Sequence, residues 1–505
     1  MDGQAEQGGG PATADRRPGL PQGVSAREAV AGVLLLATIV FAVYSQLFDS
    51  SAGLFEPTET ANAVRLAVTA GVALVFAALL DPRALLRGLF ALPILALALL
   101  TALTFLVPAW AQTEPDQVTR LGLLTLGYTG IAASAFVFGR WIGTWSIVVL
   151  VAVTATVAGG MGLWGYAEVE STLAGVNQGD FVPLGPLDYR NALALLSAAA
   201  LVPLGRWALP LGRSATGAAV SVAAGLALGV QAIVIGVALS EFAILFSFLL
   251  AVGVLIWPGP ALGIPARKAL PPLLAAGLVA LSAWILYRQV LPLPPEPDGT
   301  RLTVMLFLIG LTPALVWGFT PLIDRIPERY AGRAGYGLIG FAALAALVVA
   351  IGPGLPTGSA DVRVRYYEVI VDLLYDEPVA GVGPGNYFQN AFSSQLQLLG
   401  TNTRFAHSIP GEAWVELGLA GLLVSLLLYV GAFRDGWRAR RVRSAALLAP
   451  LVLGFLLSGL IDWSWHIPAM TALWAAALGS VAGVAEAGPR TETEAGPPGR
   501  VSSAR

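Results

Sequence analysis

The chain has 505 residues, 56% of them hydrophobic and only 12% charged, with a formal net charge of −2 and a mean hydropathy of +0.73. Soluble domains carry about a quarter charged residues, so half that share predicts a polytopic membrane protein rather than the several soluble domains that length alone suggests. The lack of cysteine excludes disulfides, thiolate catalysis and Cys-ligated metal, and basic residues scattered singly exclude the basic stripe of a nucleic-acid binder.

Residues 1–28 are polar and rich in Gly, Pro and Ala, and predict a disordered start. The apolar run from Ala29 is too long for a signal-peptide core and has no clear cleavage site, so it reads as the first membrane helix. At about 20 apolar residues per crossing, fourteen helices are expected, roughly at 29–48, 62–80, 88–108, 119–139, 145–163, 191–208, 216–237, 242–257, 269–288, 302–321, 336–352, 414–433, 445–461 and 467–485. The transmembrane domain thus spans 29–485, and the Gly/Pro/Ser-rich stretch 486–505 is a second disordered end.

Cytoplasmic loops accumulate Lys and Arg. With the N-terminus inside, 21 of the 29 Lys and Arg residues fall on inner segments, leaving Arg65, Arg120, Arg190, Arg288, Arg301, Arg363, Arg365 and Arg404 outside. The expectation is a multi-pass protein of the cytoplasmic (inner) membrane, with both termini cytoplasmic and the long loops 164–190 and 352–413 extracytoplasmic. Loops of that length are functional or disordered, and the aromatic and aliphatic content of these two argues for structure.

The second long loop is unlike the rest of the chain. It gathers Arg363, Arg365, Arg404 and His407 with the carboxylates Asp361, Glu368, Asp372, Asp376, Glu377 and Glu412, and Glu416 follows. Tyr366, Ile370, Leu373 and Leu374 recur at helical spacing, which predicts an amphipathic helix over about 362–375 that Pro378 stops. The turn cluster Gly381-Val382-Gly383-Pro384-Gly385-Asn386 does not fit a P-loop, which needs GxxxxGK[ST] after a strand. Arginine offers a fixed fork of donors to phosphate oxygens, and histidine can take a proton near neutrality. Together they suggest glycan transfer from a lipid diphosphate to an acceptor hydroxyl. Blander readings also fit: Arg363 and Arg365 as headgroup anchors, Glu412 and Glu416 as helix-dipole partners, and His466, beside Trp463 and Trp465, in an interfacial aromatic belt.

The loop as a whole resembles the O-antigen ligase / O-antigen polymerase superfamily of membrane glycosyltransferases. The resemblance rests on Arg363, Tyr367, Pro378, Gly381, Gly383, Gly385, Asn386 and Tyr387, then on His407, Ser408, Glu412, Glu416, Gly418 and Gly421, in order and at matching spacing. It implies an all-α, polytopic, GT-C-like fold and metal-independent, cofactor-free transfer of an undecaprenyl-diphosphate-linked glycan, in cell-surface polysaccharide biosynthesis. It also implies His407 as the base and Arg363 as a diphosphate contact; the substrate-binding candidates are Arg190, Asn191, Arg365, Arg404, Asn386, Glu412 and Glu416. The acceptor is a lipid, a glycan or a protein. Two departures stand out. The place near Val182, where relatives carry an Arg, is apolar, with Arg190 beside Asn191 as a stand-in, and Ser240-Glu241-Phe242 occupies the place of a Ser-Arg-Gly. The alternatives are a non-catalytic lipid-linked-glycan binder and a polysaccharide transporter, the latter expected to hold ionisable residues in mid-membrane.

Overall fold

A computed structural model describes residues 25–48, 60–111, 113–170, 172–177, 180–210, 214–238, 266–287, 299–327, 330, 358–400 and 403–488. The expected crossings at 242–257 and 336–352 lie outside the described residues, as do Glu241 and most of both termini.

The described chain is a helical bundle. It begins with α1 (Ala26–Leu47), α2 (Thr60–Leu80), the short α3 (Pro82–Leu89) and α4 (Leu92–Leu106), followed by α5 (Pro115–Trp141) and α6 (Trp145–Glu168). A small antiparallel hairpin, β1 (Ala174–Asn177) with β2 (Asp180–Pro183), interrupts the helices, Gly175 facing Val182. Then come α7 (Arg190–Ala208), α8 (Ala215–Ala238), α9 (Ala266–Ile285), α10 (Gly299–Asp324), α11 (Gly358–Asp376), α12 (Tyr387–Leu399), α13 (Ile409–Ala439), α14 (Arg443–Ser458) and α15 (Pro468–Ala487).

Among the described residues, ten helices are long and apolar enough to cross a membrane: α1, α2, α4 with its 3-10 extension, α5, α6, α7, α8, α10, α13 and α15. The apolar part of α9, Leu270–Ile285, and α14 are shorter. The outer helices leave large apolar side chains uncovered, such as Val33, Phe41, Val68, Val75 and Phe307. A surface of that kind suits lipid and not water.

Lipid tails are as apolar as leucine, so packing between membrane helices comes from close approach of small residues. The α5–α15 crossing is built that way. A Cβ at Gly479 would lie 2.0 Å from the Ala132 carbonyl oxygen, one at Gly483 2.1 Å from that of Phe136, and one at Gly139 2.4 Å from that of Ser480. Helix α15 is accordingly buried almost throughout, and the turn Ser464–His466 immediately precedes it.

At one end of the bundle α11, α12, the connecting turns and the first turns of α13 form a layer with its own core of Val369, Ile370, Leu374, Tyr387, Ala391, Ala406 and Val415. The expected amphipathic helix is there as part of α11, with Tyr366, Ile370 and Leu374 buried.

Candidate functional site

The layer is locked to the bundle by a break in α13. Gly418 has φ +69° and ψ −165°, a conformation essentially restricted to glycine. The break frees backbone groups, and the glycine turn after α11 meets them. Val382 N–H donates to the Val415 carbonyl at 2.8 Å and Gly383 N–H to the Glu416 carbonyl at 3.0 Å, while Leu419 N–H donates to the Val379 carbonyl at 3.2 Å. Gly381, at φ +76°, passes so close that a Cβ there would lie 2.4 Å from Gly418 N. The glycines serve backbone approach, as their mismatch with a P-loop suggested. Asn386 belongs to the same scaffold: its side-chain N–H donates to the Val382 carbonyl at 2.9 Å and its carbonyl accepts from Asn390 at 2.9 Å.

His407 sits at the edge of this layer. Gln395 holds the strand leading to it through two bonds with the Thr403 backbone, each 2.8 Å, and Ser408 caps α13 by accepting from Gly411 N–H at 3.2 Å. His407 has φ +54°, a region rarely adopted by a residue with a side chain. Its ring lies parallel to that of Tyr366, centroids 4.1 Å apart and planes 8° apart. Nδ1–H donates to the Phe405 carbonyl at 2.9 Å; since a carbonyl only accepts, the lone pair resides on Nε2. Burial pushes the His407 imidazole down to about 4, with Arg363 adding to the shift and Asp462, the Phe405 carbonyl and Glu412 opposing it.

Arg363 and Tyr367 reach from α11 to the turn after α14, donating to the carbonyls of Ile461 and Leu460. The next residue, Asp462, is buried and accepts from Tyr189 Oη at 2.6 Å and from Trp463 N–H at 2.7 Å. Asn191 donates to Tyr189 Oη at 2.7 Å. This chain brings the shorter loop to the same place, where burial and the neighbouring Asp462 raise the Tyr189 hydroxyl well above its ordinary value. Arg190 opens α7 next to it. Val182 is buried in the hairpin.

The other predicted residues divide between two places. Glu412 faces the histidines: Oε1 accepts from His466 Nε2–H at 2.6 Å and Oε2 from Ala406 N–H at 3.3 Å. His466 thus has a specific side-chain partner that the aromatic-belt reading did not include. Glu416, one turn on, accepts from Tyr387 N–H at 3.2 Å and shares an electrostatic neighbourhood with Arg120, which also feels Arg404 and Glu114. Burial lowers the Arg404 guanidinium. Arg365 donates to the Leu398 carbonyl at 2.9 Å.

Sequence reasoning missed Asp462, Tyr189, Gln395 and the placing of Arg120. The one available signal for Arg120 was its standing as an outer arginine against the positive-inside bias.

Chemically, the site offers one imidazole with a fixed tautomer, acidic groups near it and arginines on two sides. No protein-family model and no curated protein sequence matches this chain.

Proposed function

We propose that the chain is a membrane glycosyltransferase of the O-antigen ligase / polymerase kind, moving an undecaprenyl-diphosphate-linked glycan to an acceptor hydroxyl at the outer face of the cytoplasmic membrane. The observation that carries this reading is His407: held by Tyr366 and by the Phe405 carbonyl on Nδ1, it keeps Nε2 as its basic nitrogen, with Arg363 and Asp462 in electrostatic reach of the ring, in a layer on a bundle of apolar helices.

In this reading Nε2 takes the proton of the acceptor hydroxyl as its oxygen bonds to the sugar carbon, and the bond from that carbon to the diphosphate breaks. The undecaprenyl diphosphate leaves with the electron pair. Positioned cations stabilise the charge that grows on it; Arg363, in electrostatic reach of His407, is the first candidate, with Arg404 and Arg120 near Glu416 as further ones. Asp462 and Glu412 favour the imidazolium that forms on His407.

The test is transfer by purified protein given undecaprenyl-diphosphate oligosaccharide and a panel of acceptors. His407→Ala is expected to lower the rate by roughly 10²–10⁴, the usual worth of a positioned base, and Arg363→Ala to abolish transfer with normal membrane expression. Transfer that survives His407→Ala unchanged would sink the role of this residue. Donor binding without transfer to any acceptor would favour the non-catalytic binder.

A further inference from the structure

His466 has no part in the reaction as drawn, yet the fold packs it against the segment that carries the base. Three consecutive residues are gripped there, each by a different group. The Phe405 ring stacks on His466, centroids 3.8 Å apart and planes 17° apart, with Trp463 also stacked on it at 5.1 Å. The Ala406 amide donates to Glu412 Oε2 at 3.3 Å, and Glu412 Oε1 is held by His466 Nε2–H at 2.6 Å. The His407 ring donates Nδ1–H to the Phe405 carbonyl at 2.9 Å. His466 therefore touches one of these grips directly and a second through Glu412.

The third grip depends on the other two. The Phe405 carbonyl meets Nδ1 only while the backbone from Phe405 to His407 keeps its path, and at His407 that path runs through φ +54°. A backbone of that kind persists when its surroundings over-determine it. The side chains of His466 and Glu412 are only 9% and 12% exposed, so solvent screens their bond far less than that of a surface pair.

We propose that His466, through Glu412, is a positioning residue for the transfer reaction, holding the Phe405–His407 backbone so that His407 keeps its proton on Nδ1 and its lone pair on Nε2. The role rests on the transferase reading for its consequence in rate, but the tautomer can be observed without any substrate.

The chain has two histidines, so protein isotopically labelled at the histidine ring nitrogens shows two imidazoles, and a His466 variant shows His407 alone. His466→Phe keeps a ring against Phe405 and removes the donor to Glu412. His466→Gln loses the ring but carries an amide nitrogen near the place of Nε2. Wild type is expected to show His407 as a single Nδ1–H tautomer and His466→Phe a mixture. In the transfer assay kcat falls on the order of ten- to hundredfold in His466→Phe, the scale typical of groups that orient a functional histidine, with KM for the donor unchanged. His466→Gln restores the single tautomer and most of the rate. A single Nδ1–H tautomer in His466→Phe overturns the proposal, whatever the activity. A tautomer mixture in that variant, together with a wild type that transfers nothing, supports the positioning role and overturns the transferase reading instead.

Discussion

Glu412 and Glu416 stand one turn apart on the first segment of α13, and both are buried, but they do different work. Glu412 is surrounded by rings and by the backbone that leads to His407. Glu416 faces the glycine turn and the Tyr387 amide, where α12 starts, with Arg120 in electrostatic reach. One carboxylate holds the backbone before His407 and the ring of His466; the other receives the amide that opens α12, next to an arginine. Identical side chains at helical spacing acquire their roles from what the distant chain brings against them.

The largest expected effect breaks both sides together. Gly418→Ala puts a Cβ 2.0 Å from the Val379 carbonyl oxygen, and the backbone strain alone costs about 1–3 kcal/mol. The glycine turn then undocks, transfer is lost, and the segment 379–385 becomes open to limited proteolysis. A variant as protease-resistant as wild type would mean that the break in α13 does not anchor the layer.

The next pair separates the two faces. Glu416→Ala leaves the buried Tyr387 amide without its carboxylate, at a cost of about 1–3 kcal/mol, and is expected to lower the thermal midpoint in detergent. Glu412→Ala releases Ala406 and His466, and is expected to lower kcat on the order of ten- to hundredfold with a smaller change in midpoint. If Glu416→Ala proves the kinetic variant and Glu412→Ala the unstable one, the assignment of the two carboxylates is reversed.

The bundle and the amphipathic helix were legible because hydropathy and period are local properties. Tyr366, Ile370 and Leu374 could be placed on one face from their spacing, and α11 buries them. The site was legible only where its residues share the loop, as with Arg363 and His407. Asp462 meets Tyr189 across 273 residues, and no periodicity announces such a contact. Helix α12 escaped notice behind the turn cluster that precedes it. For His466 the two neighbouring tryptophans suggested a membrane-interface pattern, but its contact with Glu412 spans 54 residues and appears only when α13 and α15 pack side by side. Arg365, two residues after Arg363 on α11, meets a different partner, the Leu398 carbonyl, where Arg363 meets that of Ile461, a divergence that sequence proximity does not announce.

The last expected effect concerns the Glu412 side and appears only as pH is lowered. An unfolded chain titrates His407 near its ordinary 6.5, and burial holds the native imidazole at about 4. Between those values the unfolded chain binds more protons, so stability from this residue is present above about pH 6.5 and is lost as pH falls toward 4. The full shift is worth at most about 3 kcal/mol. The measurement is the thermal midpoint of wild type against His407→Gln across this window, a comparison in which every other ionisable group is common to both proteins. The variant is expected to lose less stability on acidification. The same shift predicts that the transfer rate does not fall with a midpoint near 6.5, because the base stays neutral well below it. A wild-type rate that did halve near pH 6.5 through protonation of His407 would mean that this ring is more open to water than its packing against Tyr366 allows.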